Sequence, residues 1–157
     1  MGGRVGKNYL FGRSLVEGSS ALFHLEQCYA EEMVAHAMAE APHECCGLLV
    51  GAQGRVARLY RTRNAENSPY RYNIDPKQLL GIVRQLDEKG WEIMAIYHSH
   101  PDSEAYPSPT DVSLACWPES LYIIVSLKEW TQPVIRAFCI AEGKVREEEV
   151  RIDSAEG

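Results

Sequence analysis

The sequence predicts an α+β fold, α/β-like in its alternation, with a mixed β-sheet flanked by helices. Two observations lead there. Helix-length polar–apolar segments alternate with apolar runs of strand length, and glycines mark the breaks between them. Read in order, the elements are αββαβαβββ, too interleaved for a bundle or a sandwich.

From about Leu22 to Ala41 the composition favours helix, with no Gly or Pro until Pro42. Leu25, Tyr29, Met33, His36 and Ala37 line one face at three- and four-residue steps. "ECCGLLVG" and "GRVARLYRTRN" read as two strands around a turn at Gly51 to Gly54. "NAENSPYRYN" is a polar loop. Asp75 then stands as N-cap with Pro76 at the first helical position, and Gly90 ends that helix as a left-handed residue. "WEIMAIYH" has strand length, "TDVSLAC" is a short helix, and "LYIIVSL" is apolar enough for a central buried strand. "PVIRAFCI" and "KVREEEVRI" form a final hairpin turning at Glu142-Gly143.

The 157 residues suit a single domain, read here as 21–153. Residues 1–20 read as a flexible lead-in, since five of the twelve glycines fall before Leu22. That segment lacks the apolar core of a secretory signal, and Gly6 stands where a myristoylation signal needs Ser or Thr. A formal charge of −6 with no basic stripe argues against nucleic acid. No apolar run is long enough to span a membrane. Five cysteines, an odd number without a CxxC pair, fit reduced thiols and a cytoplasmic location.

The chemistry concentrates in "YHSHPDSEAYPSPTD", residues 97–111. On a strand, side chains two apart share a face, so His98 and His100 project together while Ser99 points away. Two converging imidazoles make half a zinc site. Asp111 supplies a third, anionic ligand at the start of the next helix, and the fourth position is left for water, as in catalytic zinc sites. Read alone, "SPTD" is a helix start, with Ser108 as N-cap, Pro109 at N1 and Asp111 at N3. Together with His-x-His it favours a metal, and Asp111 is then not expected to serve as cap partner and ligand at once. Glu44, at the head of an apolar strand, is the best candidate for a general base; its other reading is an ordinary strand-end glutamate. Cys46 shares its face and Cys45 does not, so a thiol ligand stays open beside the expectation that both are buried and inert. "HECC" is not HExxH, and no PCxxC follows a histidine, which sets aside two other zinc signatures.

"PHECCGLLVG", "RYNIDP" and the His-to-Asp stretch resemble the JAMM (MPN+) zinc metalloprotease family, over about Leu22 to Ile152. Among its members, the chain is most similar to short prokaryotic peptidases acting on ubiquitin-like sulfur carrier proteins. The resemblance implies a JAMM/MPN, cytidine-deaminase-like architecture. It also implies Zn²⁺ on His98, His100 and Asp111, Glu44 as base, and Ser108 assisting the oxyanion. The implied substrate is a β-grasp carrier cut after its C-terminal Gly-Gly, releasing cysteine or a short peptide. Arg61, Arg63 or Arg71 could meet the departing carboxylate, or be solvated surface arginines. Two alternatives remain: a broader isopeptidase acting on modified lysines, and a non-catalytic scaffold of the same fold.

Overall fold

A computed structural model describes residues 22–154. The lead-in expected over 1–20 lies outside the described residues. The elements are β1 (Leu22–Glu26), α1 (Gln27–Glu40), β2 (Cys46–Ala52), β3 (Arg55–Thr62), α2 (Pro76–Lys89), β4 (Glu92–His100), α3 (Pro109–Leu114), β5 (Leu121–Ser126), β6 (Val134–Ala141) and β7 (Lys144–Asp153). The strands form one sheet in the order β1-β7-β6-β5-β4-β2-β3. β4 runs parallel to β5 and β1 to β7, and the remaining pairs are antiparallel. The sheet is mixed, as the sequence predicts.

Two elements depart from expectation. Leu22–Glu26 is a strand, not the first turn of the helix. Phe23 and Leu25 are buried while Leu22, His24 and Glu26 are exposed, a period of two that pairing with β7 imposes over the local helix preference. Asp75 occupies the N-cap position before Pro76, but its side chain makes no capping bond. It lies 3.2 Å from the Arg63 guanidinium instead. The other punctuation holds. Gly90 is left-handed at φ 70°, and the hairpin turns pass through positive φ at Gln53-Gly54 and Glu142-Gly143.

Strand β5 is buried along its whole length at the centre of the sheet. Its alternate residues feed two cores. Ile123 and Val125 pack with Leu25, Met33, Leu49 and Tyr97 on the α1 face. Ile124 packs with Leu48, Ile82, Leu86, Ile96 and Phe138 on the α2 face. Burying each such side chain contributes about 1.5–3 kcal/mol, so the middle of the sheet is the most heavily packed part of the described residues. β4 lies between β5 and β2, which makes its C-terminal end a firm platform for whatever it carries.

Candidate metal centre

His98 and His100 are the last residues of β4 on the α2 face, and both are buried. Pro101 follows, and the chain loops back to α3, whose N-terminus brings in Asp111, also buried. The His98 and His100 Nε2 atoms lie 3.2 Å apart. Asp111 Oδ2 is 3.1 Å from the first and 3.0 Å from the second. Donor atoms of a tetrahedral shell with bonds of about 2.0–2.1 Å lie about 3.3 Å from one another, so this triangle has the dimensions of three corners of such a shell.

The donor set fits a divalent cation for a further reason. His100 Nδ1 lies 2.7 Å from the Glu104 carbonyl oxygen, which only accepts. Nδ1 therefore carries a proton, and when the ring is neutral Nε2 presents a lone pair to the centre. Two buried ring nitrogens and a carboxylate oxygen converging at about 3 Å need a proton or a cation among them. Burial alone would raise the Asp111 pKa, but hydrogen bonds with His100 and His98, the His98 charge and the Ser108 N–H hold it well below the usual carboxylate range. Burial lowers the His98 pKa against the pull of Asp111. For His100, burial is outweighed by Asp111 and the Glu104 carbonyl, and the pKa rises.

Asp111 does both of the tasks that the sequence reading set in opposition. Its Oδ2 accepts from the Ser108 N–H at 2.9 Å while facing the two imidazoles. Its own N–H donates to Ser108 Oγ at 3.0 Å, which completes a capping box. One carboxylate oxygen has lone pairs enough for a backbone amide and for the centre. Ser108 Oγ acts as acceptor in that pair, so its O–H proton is not used in the capping box.

Glu44 sits two residues before β2, not in it, and is buried. Its N–H donates to the Ser68 carbonyl at 2.8 Å, and its carbonyl accepts from Asn64 Nδ2 at 3.0 Å. Next to it, the Cys45 N–H donates to Ser99 Oγ at 2.8 Å, and the Ser99 N–H returns to the Cys45 carbonyl at 3.1 Å. The residue that faces away from the histidines thus locks the approach of Glu44 to β4. Glu44 Oε1 is buried and has no hydrogen-bond partner among the described residues. Burial pushes its pKa up to about 8, with His100 pulling it down and Asp111 raising it, so its carboxyl is in electrostatic contact with the centre.

Neither neighbouring thiol joins the cluster of donor atoms, which is His98, His100 and Asp111 alone among the described residues. Burial pushes the Cys45 thiol up to about 12 and the Cys46 thiol up to about 11, and Cys46 Sγ instead accepts from Thr62 Oγ1 at 3.4 Å. The three arginines are exposed and lie near carboxylates: Arg61 with Glu32 at 2.5 Å, Arg63 with Asp75 at 3.2 Å, and Arg71 with Glu66 at 4.0 Å. Sequence reasoning missed two neighbours of the site. Tyr72 stacks on the His98 ring, with centroids 4.3 Å apart and planes 20° from parallel. Asn64 bonds the main chain around Glu44 and Tyr72. Tyr72 falls in the "RYNIDP" stretch, so its presence was visible, but nothing in a loop sequence reports which ring it covers.

A mixed sheet with a His-His-Asp triangle at the end of an inner strand defines a class, the JAB/MPN-type domains. The family described as prokaryotic homologs of the JAB domain matches residues 26–140, and the chain belongs to that family. It is similar to the "CysO-cysteine peptidase" of Mycobacterium tuberculosis, at 40% identity over 122 residues, covering 76% of this chain and 84% of the relative. It is 38% identical over 115 residues to the "Probable TtuB-protein conjugate cleaving protease" of Thermus thermophilus, covering 73% of each. A protein of Desulfitobacterium hafniense solved in solution has the same fold, with a TM-score of 0.77 at 36% identity over 86% of this chain and 94% of that one.

Proposed function

We propose that the chain is a zinc metallopeptidase that hydrolyses the amide bond after the C-terminal Gly-Gly of a ubiquitin-like sulfur carrier protein, releasing cysteine or a short peptide. The observation that carries it is the buried triangle of His98, His100 and Asp111, with sides of 3.0–3.2 Å, beside Glu44, whose Oε1 has no partner among the described residues. The relative named for a carrier–cysteine bond supports the substrate class. All the donors are present, which weighs against a non-catalytic scaffold.

His98, His100 and Asp111 would hold the zinc ion, which would supply Lewis-acid polarisation of a scissile carbonyl, a water pKa of about 7 and positive charge favouring the Glu44 carboxylate. Glu44 accepts the proton from the attacking water at its carboxylate and hands it to the departing amine nitrogen. Its burial helps both steps, because a carboxyl taken out of bulk water has its pKa moved toward the working pH. The Ser108 O–H donates to the carbonyl oxygen as negative charge builds on it, a contribution of about 10²–10³ in turnover for donors of this kind. His100 is held in register by Glu104, and Asp111 by the capping box, so little reorganisation is needed when substrate arrives.

The test is intact-mass spectrometry of a β-grasp carrier ending Gly-Gly-Cys, incubated with zinc-loaded protein beside a Gly-Gly-lysine isopeptide conjugate. Loss of one cysteine residue from the carrier, with the conjugate intact, is the expected result. Cleavage of the conjugate alone replaces this substrate with modified protein lysines, the reading that the Thermus thermophilus relative's name favours. In the same assay Glu44→Gln should keep zinc and fold and lower turnover by about 10²–10⁴. A near-wild-type rate for it sinks the base assignment.

A further inference from the structure

The two histidines of the centre are held in different ways. A metal-binding imidazole ordinarily donates its second N–H to a carbonyl or carboxylate, which fixes the ring and its tautomer. His100 does so, through Nδ1 and the Glu104 carbonyl at 2.7 Å. His98 does not: its Nδ1 is buried and has no hydrogen-bond partner among the described residues. What meets the His98 ring is the Tyr72 ring, stacked at 4.3 Å and 20°.

Tyr72 belongs to neither a helix nor a strand, so something else must keep it in place. The main chain on both sides of it is tied to one side chain. Asn64 Nδ2 donates to the Arg71 carbonyl at 3.1 Å, and Asn64 Oδ1 accepts from the Asn73 N–H at 3.0 Å. The same amide donates to the Glu44 carbonyl at 3.0 Å and accepts from the Glu66 N–H at 2.9 Å. A single bridge between Asn64 and Ile74 and the Ala65 N–H to Asn73 carbonyl bond close the loop beneath it. Asn64 therefore uses every polar hydrogen-bonding group of its side chain to join the loop that presents Tyr72 to the segment that presents Glu44.

We propose that Tyr72 is a positioning residue that holds His98 in its ligating orientation through ring stacking, in place of the missing Nδ1 hydrogen bond, and that Asn64 fixes Tyr72 for this task. The inference rests on the reading of His98, His100 and Asp111 as metal donors. Neither Tyr72 nor Asn64 need touch the substrate or the metal. A ring free to rotate about its Cβ–Cγ bond would present Nε2 correctly only part of the time, and the fraction lost would appear directly as weaker binding.

The test reads zinc affinity by competition with a chromogenic chelator, using the full chain and no substrate. Tyr72→Phe keeps the stack and should bind zinc as the wild type does. Tyr72→Leu keeps an apolar side chain over the core but removes the stack, and should weaken zinc by about 10-fold, within the range seen when such supports are removed. Asn64→Asp keeps the two accepted bonds and loses the two donated ones, and should weaken zinc by a smaller factor. In the double variant the two effects should not multiply, because Asn64 acts through Tyr72. A thermal melt of each metal-free variant identifies any that fail to fold; Tyr72→Met then takes the place of Tyr72→Leu, and Asn64→Ser of Asn64→Asp.

Wild-type affinity in Tyr72→Leu overturns the proposal, as does equal weakening in Tyr72→Phe. Independent, multiplying effects overturn the part assigned to Asn64. A wild-type protein that binds no zinc overturns the metal reading and this inference with it. Zinc binding without peptide cleavage overturns the substrate alone and leaves this inference standing.

Discussion

Strand β4 carries two different kinds of polar residue on its two faces. On the α1 face, Tyr97 and Ser99 are fully buried and paired: Tyr97 Oη lies 2.7 Å from His36 Nδ1, and Ser99 Oγ accepts the Cys45 N–H. On the α2 face, His98 and His100 crowd one carboxylate oxygen, and His98 Nδ1 and Glu44 Oε1 are buried with no partner among the described residues. The first arrangement satisfies its groups within the chain and acts as internal structure. The second keeps a local energetic deficit that a bound cation and a substrate would relieve.

The comparison predicts that damage to the two faces will be read by different measurements. The largest effect belongs to the open face. His100→Ala should abolish stoichiometric zinc in a metal assay, and with it peptide cleavage, while the metal-free protein melts at or above the wild-type temperature. A clear fall in the metal-free melting temperature would make His100 a structural residue like Tyr97.

Next in size is Gly47→Ala on the paired face. A Cβ there would strike the Tyr97 ring and the Tyr60 carbonyl, and the backbone oxygen has little freedom to yield. Destabilisation of about 1–3 kcal/mol or more is expected in urea unfolding, as for other overpacked sites. Zinc affinity in the fraction still folded should be retained.

Ser99→Ala tests where the faces meet. It leaves the buried Cys45 N–H unpaired and should cost about 1–3 kcal/mol in the same unfolding measurement. It should also lower kcat more than it weakens zinc, since Cys45 adjoins Glu44. An unchanged kcat would mean that the Asn64 and Ser68 bonds suffice to place Glu44.

The smallest effect is a change in pH dependence. Burial, helped by the nearby Arg61 and opposed by Glu40 and Glu32, lowers the His36 pKa, so the fold prefers its neutral ring beside Tyr97 Oη. Below the ordinary histidine value of about 6.5 the unfolded chain binds that proton first, so stability falls as pH falls and is flat above it. His36→Gln should reduce the slope of unfolding free energy against pH below about 6.5 without altering zinc affinity.

How much of this could be read from residues alone depended on the range of the interaction. "LYIIVSL" named the central strand, and Gly90 and Glu142-Gly143 named their turns, because those signals are local; the turn expected over Gly51 to Gly54 narrows to Gln53-Gly54, since Gly51 and Ala52 stay in the strand. His98, His100 and Asp111 were legible because a strand end, a Pro101 break and a helix start bring them together within fourteen positions. Leu22–Glu26 was not, since its partner β7 lies at the other end of the chain. Asp75 was placed in the right position with the wrong partner, because Arg63 reaches it through the fold. Tyr72 and Asn64 stayed silent for the same reason: a loop sequence does not reveal what it is folded against.

The sharing of Asp111 Oδ2 between the start of α3 and the centre has a consequence for observing the protein at work. The Ser108 and Asp111 amides lie in the capping box, so opening of the helix start must break contacts at the same atom that faces the imidazoles. With a cation bound at the centre, its occupancy and the rate at which those two amides trade hydrogen for deuterium would be linked quantities. The first turn of a six-residue helix becomes a native gauge of whether the site is filled, readable by exchange without a label, a chromophore or a substrate.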